Sequence, residues 1–166
     1  MTSASPVVGA PVTVLGVGNP IMGDDGVGLE LLSAVEAACA DPRVEFVNGV
    51  TGGMELLPVV QDATRLLVLD AVAGPTPGAV VRLEGDQVPR MLSTKLSPHQ
   101  VGLLDLFAAS RMLGREPAEV VVVGVVPESV EIRVGLTPTA AAAIGPAASV
   151  AASVISGWLE DVPLAG

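Results

Sequence analysis

Basic residues and aromatic rings are both scarce in this sequence. Among 166 residues, 8 Lys and Arg stand against 18 Asp and Glu, so the formal net charge is −10. A negative field of this size repels phosphate backbones and anionic lipid headgroups, which argues against nucleic acid and membrane surfaces as partners. The aromatic residues are Phe46, Phe107 and Trp158, too few to stack bases or sugars.

Cysteine and long apolar segments are also rare. Cys39 is the single cysteine, so no internal disulfide can form, which fits a reducing cytoplasm. Gly124, Gly145 and Pro146 interrupt the longest apolar segments before they reach the ~18 residues of a membrane span. The first basic residue is Arg43, so the N-terminus lacks the basic segment of a signal peptide. We therefore expect a cytoplasmic protein without membrane insertion.

The composition that remains is that of one globular domain. Half of the residues are hydrophobic and 16% are charged, the opposite of a disordered chain. The length fits a single domain of roughly 100 to 200 residues. We expect a flexible tail over residues 1–11, a single domain over residues 12–166, and a monomer.

Short β-branched segments alternate with segments of helical periodicity. The pattern predicts strands over 12–17, 44–47, 65–69, 79–83 and 119–126, and helices over 24–39, 52–60, 98–113 and 138–159. Strands that are apolar on both faces and separated by helices are typical of a parallel sheet covered on both sides. The predicted fold is therefore an α/β three-layer sandwich, with a twisted, mainly parallel sheet of about five strands.

Polar residues follow the ends of these strands, where such sheets bind ligands. Asp24 and Asp25 come after the first strand, Asp70 ends the third predicted strand, and His99, the single histidine, begins a helix. A carboxylate is costly to bury, so we expect Asp70 in a loop or cleft. The positive end of the helix dipole favours the neutral, metal-ligating form of the His99 imidazole. Two carboxylates and one imidazole suit zinc or nickel.

Structural roles remain open for these residues. Asp24 and Asp25 suit the N-cap and first turn of a helix, and a first-turn histidine can simply be hydrogen-bonded locally.

Other functional motifs are incomplete or missing. Gly16-Val17-Gly18 begins a dinucleotide-binding fingerprint, but Ile21 stands where its third glycine belongs. The acidic side chains of Asp24 and Asp25, which follow, would also repel a pyrophosphate. Neither H-E-x-x-H, C-x-x-C nor G-x-S-x-G is present, and Cys39 falls on a predicted core stripe.

The segment GVGNPIMGDDGVG at 16–28 resembles the opening motif of the nickel-iron hydrogenase maturation endopeptidases. Further similar blocks follow in the family's order: TGGMELL at 51–57, DA at 70–71, KLSPHQ at 95–100, GVVPES at 124–129 and GLTP at 135–138. The similarity spans about residues 12–159 and is strongest to the uptake-hydrogenase type.

The resemblance implies an endopeptidase that removes the C-terminal extension of the hydrogenase large-subunit precursor once nickel has been inserted. The cut lies just beyond a Cys-x-x-Cys-x-x-His/Arg motif of that subunit. The nickel belongs to the substrate and is bound transiently, and no organic cofactor is implied. The family's metal-binding and catalytic roles map onto Asp25, Asp70 and His99, which implies a metal-dependent, aspartic-type protease. Asp24 is the second carboxylate candidate, and its expected role is to orient one of the metal-binding residues.

One departure and two alternatives follow from this resemblance. Many members carry Asp where this chain has Asn48 in Asn48-Gly49-Val50-Thr51. Asn48 cannot act as a base, and we expect that a hydrogen-bonding role suffices. The alternatives are a non-catalytic, nickel-sensing chaperone and a stand-alone metallohydrolase that retains its metal. We expect structural roles for Glu128 and Thr137 and a sheet-packing role for the last helix.

Overall fold

The computed structural model describes residues 10–50, 53–85, 87–88 and 98–163, and of residues 98–102 only the backbone. Most of the predicted flexible tail, and Ser97 before the predicted helix start, lie outside these ranges. The described strands are β1 (Val12–Val17), β2 (Val44–Val50), β3 (Arg65–Ala71), β4 (Val80–Glu84) and β5 (Glu119–Val125). The α-helices are α1 (Val27–Ala38), α2 (Leu57–Asp62), α3 (Pro98–Met112) and α4 (Pro138–Glu160). Short 3-10 turns at Gly23–Gly26 and Gly53–Leu56 precede α1 and α2.

Within the described ranges, five strands form one sheet in the order β2-β1-β3-β5-β4. The pairs β1–β2, β1–β3 and β3–β5 are parallel, and β4 is antiparallel to β5. The predicted mainly parallel α/β sheet with helices on both faces is confirmed.

Alternation along the strands builds a core on each face of the sheet. In β3, Leu67 and Leu69 join the core under α1 and α4. Leu66 and Val68 join the second core, under α2 and α3. Each fully buried side chain of this kind contributes roughly 1.5–3 kcal/mol, so the two cores fix which face each neighbouring residue occupies.

Two strand ends extend further than predicted. β2 continues through Asn48 to Val50 because its backbone still pairs with β1, with a shift in register between Gly16 and Val17. β3 continues through Asp70 because β5 runs beside it, placing Asp70 opposite Gly124. In the sequence, Asn48 and Asp70 interrupt the apolar pattern by which a strand is recognised. The backbone pairing nevertheless continues to Val50 in β2 and to Ala71 in β3.

Helix α4 is, among the described residues, the one helix long and apolar enough to cross a membrane by length and composition alone. One face of it, including Ala147, Ala151 and Trp158, lies in the core with α1, which confirms the predicted sheet-packing role. The predicted helix over 138–159 is confirmed, and Gly145 and Pro146 do not keep it from the length of a membrane span, because Pro146 lies inside the helix. Pro146 is on the exposed face, where water can solvate the carbonyl that loses its helical partner.

Candidate functional site

The loop after β1 folds tightly back on itself. Gly18 has φ +151°, and a Cβ there would lie 2.2 Å from the Asp25 carbonyl oxygen, so the turn requires glycine. The Gly18 N–H donates to the Val50 carbonyl at 2.9 Å. The Asn19 N–H donates to Asp25 Oδ2 at 3.0 Å. These bonds hold Asp25, only 1% exposed, beneath its own loop.

Asp24 is a structural hub of the same loop. Its fully buried carboxylate accepts hydrogen bonds from the Thr137 N–H and hydroxyl, both at 2.7 Å, and from the N–H groups of Glu128 at 2.9 Å and Ser129 at 3.3 Å. Burial by itself raises the pKa of Asp24, but these hydrogen bonds outweigh it and hold the pKa below its ordinary value. Asp24 therefore joins the loop after β1 to the loop after β5 and to the start of α4.

For the two aspartates, the N-cap part of the structural alternative is wrong, whereas the first-turn part holds, because both lie in the first turn of the 3-10 helix at Gly23–Gly26. The N-cap of α1 is Gly26, and no side chain caps that helix. Instead, Asp24 and Asp25 lie within the 3-10 turn that precedes it. Thr137 is the residue that caps a helix here, because its side chain accepts the Ala140 N–H at the start of α4.

Asp70 lies inside β3 rather than after it. The expected loop or cleft position is wrong, since Asp70 is 0% exposed and is paired in register with β5. Its Oδ1 accepts the Ala71 N–H at 2.7 Å. Strand alternation places its side chain on the same face as Val68, the face covered by α2 and α3.

The loop that carries Asp25 meets β3 at the position of Asp70. The 3-10 turn at Gly23–Gly26 packs on β3. A Cβ at Gly28 would lie 2.2 Å from the Val17 carbonyl oxygen, 2.4 Å from that of Leu69 and 3.0 Å from Asp70 Cα. The absence of a side chain at Gly28 thus lets the N-terminus of α1 sit directly against the ends of β1 and β3.

His99 lies in the first turn of α3, and its side chain is outside the described part of the structure. After α3 the chain reaches the amino edge of the sheet, where the Ala118 N–H donates to the Thr64 carbonyl at 2.8 Å. The 15 residues of α3 span roughly 22 Å, close to the roughly 23 Å of a seven-residue strand. The first turn of α3 is therefore at the carboxyl edge, with Asp25 and Asp70.

The carboxyl edge of the sheet thus gathers the backbone positions of all three predicted site residues. Among the described side chains, which leave out His99, no group of three or more His, Cys, Asp or Glu residues could hold a metal. The ligand set Asp25, Asp70 and His99 therefore stays a prediction.

Asn48 has a local hydrogen-bonding role. Its side chain is exposed, and its Oδ1 accepts the Val50 N–H at 3.2 Å. Val50 has a positive φ of 42°, and the Asn48 side chain stabilises this turn. The side-chain oxygen that makes this bond is common to Asn and Asp.

A well-formed cavity lies at the other end of the sheet. It holds about 400 Å³ between α3, the end of β4 and the start of β5, and its lining includes Leu104, Phe107 and Pro117. Its Arg111 is paired with Glu116 at 3.2 Å. Because it contains neither Asp25 nor Asp70 and lies at the amino edge, we place the candidate site at the carboxyl edge instead.

The sequence patterns did not reveal the partners of Asp24. The expected structural roles of Glu128 and Thr137 are confirmed, and a Thr followed by a Pro at the first helical position is a recognisable helix start. That signal locates the cap, but it does not say which distant carboxylate binds to it.

Comparison with known proteins gives one family and several relatives. A family model described as hydrogenase maturation protease matches residues 27–154. The hydrogenase 2 maturation protease of Escherichia coli (strain K12) is 38% identical over 156 residues, covering 92% of this chain and 95% of that protein. The hydrogenase expression/formation protein HupD of Rhodobacter capsulatus is 34% identical, covering 91% and 74% respectively. The solved structure of the hydrogenase maturating endopeptidase HybD from E. coli gives a TM-score of 0.82 at 37% identity, covering 88% of this chain and 92% of that one.

Proposed function

The chain belongs to the hydrogenase maturation protease family, and we propose that it removes the C-terminal extension of a nickel-iron hydrogenase large subunit after nickel insertion. The observation that carries this proposal is the burial of Asp25 and Asp70, 1% and 0% exposed, at one edge of the sheet. Both lie where parallel α/β sheets bind their ligands. The start of α3, with His99, is at the same edge.

We propose that Asp25, Asp70 and His99 bind the nickel ion that the substrate carries. Two carboxylates at one buried edge favour a divalent cation, because the attraction is strong where water is excluded. Carboxylate oxygens and a neutral imidazole nitrogen are suitable nickel ligands. Three protein ligands leave coordination positions for the groups of the client subunit. In this proposal the metal is part of the substrate and not a resident cofactor.

In this arrangement the nickel ion positions the scissile bond. A client that carries nickel is fixed by its metal against the loop after β1 and the end of β3, which converts a diffusional encounter into an oriented one. The ion then polarises the scissile carbonyl or a water. A client without nickel lacks this anchor and is not cut, so cleavage reports that insertion is complete.

The test is intact-mass analysis of a nickel-loaded large-subunit precursor before and after incubation with the protein, beside a nickel-free precursor. We expect loss of the extension from the loaded precursor alone. We expect Asp25→Asn, Asp70→Asn and His99→Ala each to slow cleavage about 100-fold or more, as the loss of a group that orients the reaction does. The matched control is Asp105→Asn, an exposed carboxylate on α3, which should retain the wild-type rate.

Each alternative predicts a different outcome. Wild-type rates in the three site variants would refute their assignment as nickel ligands. Equal cleavage of both precursors would refute nickel recognition. A stable complex with no cleavage would favour the nickel-sensing chaperone. Cleavage of free peptides by a protein that retains metal through dialysis would favour the stand-alone metallohydrolase.

A further inference from the structure

Exposed apolar side chains surround the candidate site. Five large ones lie at the carboxyl edge of the sheet, Val50 as the last residue of β2 and the others in the loops and turns, and we call them the apolar rim: Ile21 (55% exposed), Val50 (42%), Met54 (56%), Ile132 (85%) and Val134 (83%). Single exposed apolar residues are ordinary on protein surfaces, but a group of them marks an interaction site.

Backbone hydrogen bonds hold the part of the rim that contains Ile21, Ile132 and Val134 in place. The Arg133 N–H donates to the Ile21 carbonyl at 3.0 Å, and the Gly23 N–H donates to the Arg133 carbonyl at 2.9 Å. Both backbone groups of Arg133 are therefore committed to the loop after β1. The Arg133 side chain donates to the Leu136 carbonyl at 3.1 Å. Ile132 and Val134, on either side of Arg133, are thus presented to solvent from a fixed position.

The rim is continuous with the site. The Asp24 N–H donates to the Ser129 carbonyl at 2.9 Å, so the segment with Ile132 and Val134 is joined to the loop that contains Asp25. On the other side of this loop, the Val50 carbonyl accepts the Gly18 N–H. Residues of the apolar rim therefore flank the loop that contains Asp25 on both sides.

The charge around the rim indicates the chemistry of the partner. The described loops at this edge carry exposed Glu55, Glu128 and Glu131, and the single base among their described residues is Arg133. The chain as a whole has a formal net charge of −10. A second copy would bring an equally acidic surface against this one, which is unfavourable, whereas a segment with apolar and basic side chains is complementary.

We propose that the apolar rim docks an extended segment of the client polypeptide that flanks the scissile bond and carries apolar and basic side chains. This inference rests on the proposed function, since it assigns the rim to the same client. The rim supplies affinity that does not depend on nickel. The metal then decides whether the docked client is cut.

The test is the dissociation constant of a fluorescently labelled, nickel-free precursor, measured by anisotropy with the full-length protein. The rim variant is Ile132→Asn with Val134→Asn, two exposed positions whose change leaves the cores intact. The matched control is Met112→Gln with Leu113→Asn, two exposed apolar residues (86% and 62%) at the end of α3, at the amino edge. We expect the rim variant to bind about tenfold more weakly or worse, the control to stay within about twofold of wild type, and Glu131→Lys to weaken binding further.

The outcomes separate this inference from the proposed function. Equal affinities for the rim variant and wild type, or no affinity in either, would overturn the docking surface. So would a free protein that sediments as a dimer only while the rim is intact, because a second copy would then be its occupant. With nickel-loaded precursor, we expect a raised KM and an unchanged kcat for the rim variant. Rim-dependent binding without any cleavage would leave the docking surface standing and refute the protease.

Discussion

Replacing Asp24 with Asn tests whether a single buried carboxylate holds the loops of the site together. The substitution keeps the shape of the side chain but removes its charge and turns one acceptor into a donor. Oδ2 accepts from the Thr137 hydroxyl and from the N–H groups of Glu128 and Ser129. Oδ1 accepts from the Thr137 N–H at 2.7 Å. The amide oxygen of the introduced side chain can replace Oδ2, but its NH₂ group then faces the Thr137 N–H.

The expected cost is about 3 kcal/mol. A hydrogen bond to a charged group contributes roughly 1.5–3 kcal/mol, and a buried donor left without an acceptor costs roughly 1–3 kcal/mol. The replacement loses one such bond and leaves the Thr137 N–H without its acceptor, so the expected cost lies toward the lower end of the sum of these two ranges, about 2.5–6 kcal/mol. In a domain whose total stability is about 5–15 kcal/mol, this is a large fraction.

The assay is urea unfolding followed by the fluorescence of Trp158. That residue is the single tryptophan of the chain and is 9% exposed, so its emission shifts on unfolding. With a denaturant slope of about 2 kcal/mol/M, the midpoint should fall by about 1.5 M. The control, Asp105→Asn, changes an exposed side chain and should move the midpoint by less than about 0.3 M. An unchanged midpoint for Asp24→Asn would refute the claim that Asp24 holds the loops after β1 and β5 and the start of α4 together.

Two further predictions concern acid stability and close packing. The pKa of Asp24 lies below its ordinary value of 3.8, so its stabilising contribution is fully present above about pH 5 and is lost as the pH falls through the folded-state pKa. The difference in urea midpoint between wild type and Asp24→Asn should therefore shrink as the pH falls below 3.8 and through the lowered folded-state pKa, and a constant difference would contradict it. Gly28→Ala should cost about 3 kcal/mol or more, because its Cβ would meet two carbonyl oxygens within 2.4 Å. Gly157→Ala, with nothing within 4 Å, should instead stabilise α4 by about 0.5–1 kcal/mol in the same assay.

The sheet and its helices could be predicted because each element repeats a simple pattern. The alternation of β-branched segments with segments of helical periodicity predicted a mainly parallel sheet. The consecutive valines of β5 could be recognised as a buried strand. The ends of β2 and β3 could not, because backbone pairing with β1 and β5 carries both strands past Asn48 and Asp70. Strand length is set by the neighbour as well as by the side chains.

The candidate site could be located from the sequence, but the different roles of its two adjacent aspartates could not be predicted. Strand-end geometry selected the loops that carry Asp25, Asp70 and His99. Nothing in the spacing of Asp24 and Asp25 distinguishes them, since both are acidic and adjacent. The distinction comes from Thr137, a distant residue that binds Asp24, whereas Asp25 accepts the Asn19 N–H of its own loop.

The bond between Asp24 and Thr137 also has a consequence for how the protein is made. It joins residues 113 positions apart, and closing a loop of that length is slow and costs chain entropy. Until residues 128–137 have been translated, the loop with Asp25 lacks the bonds that anchor it to the segment after β5. A nascent or prematurely terminated chain that lacks this segment therefore carries both aspartates without the arrangement described above.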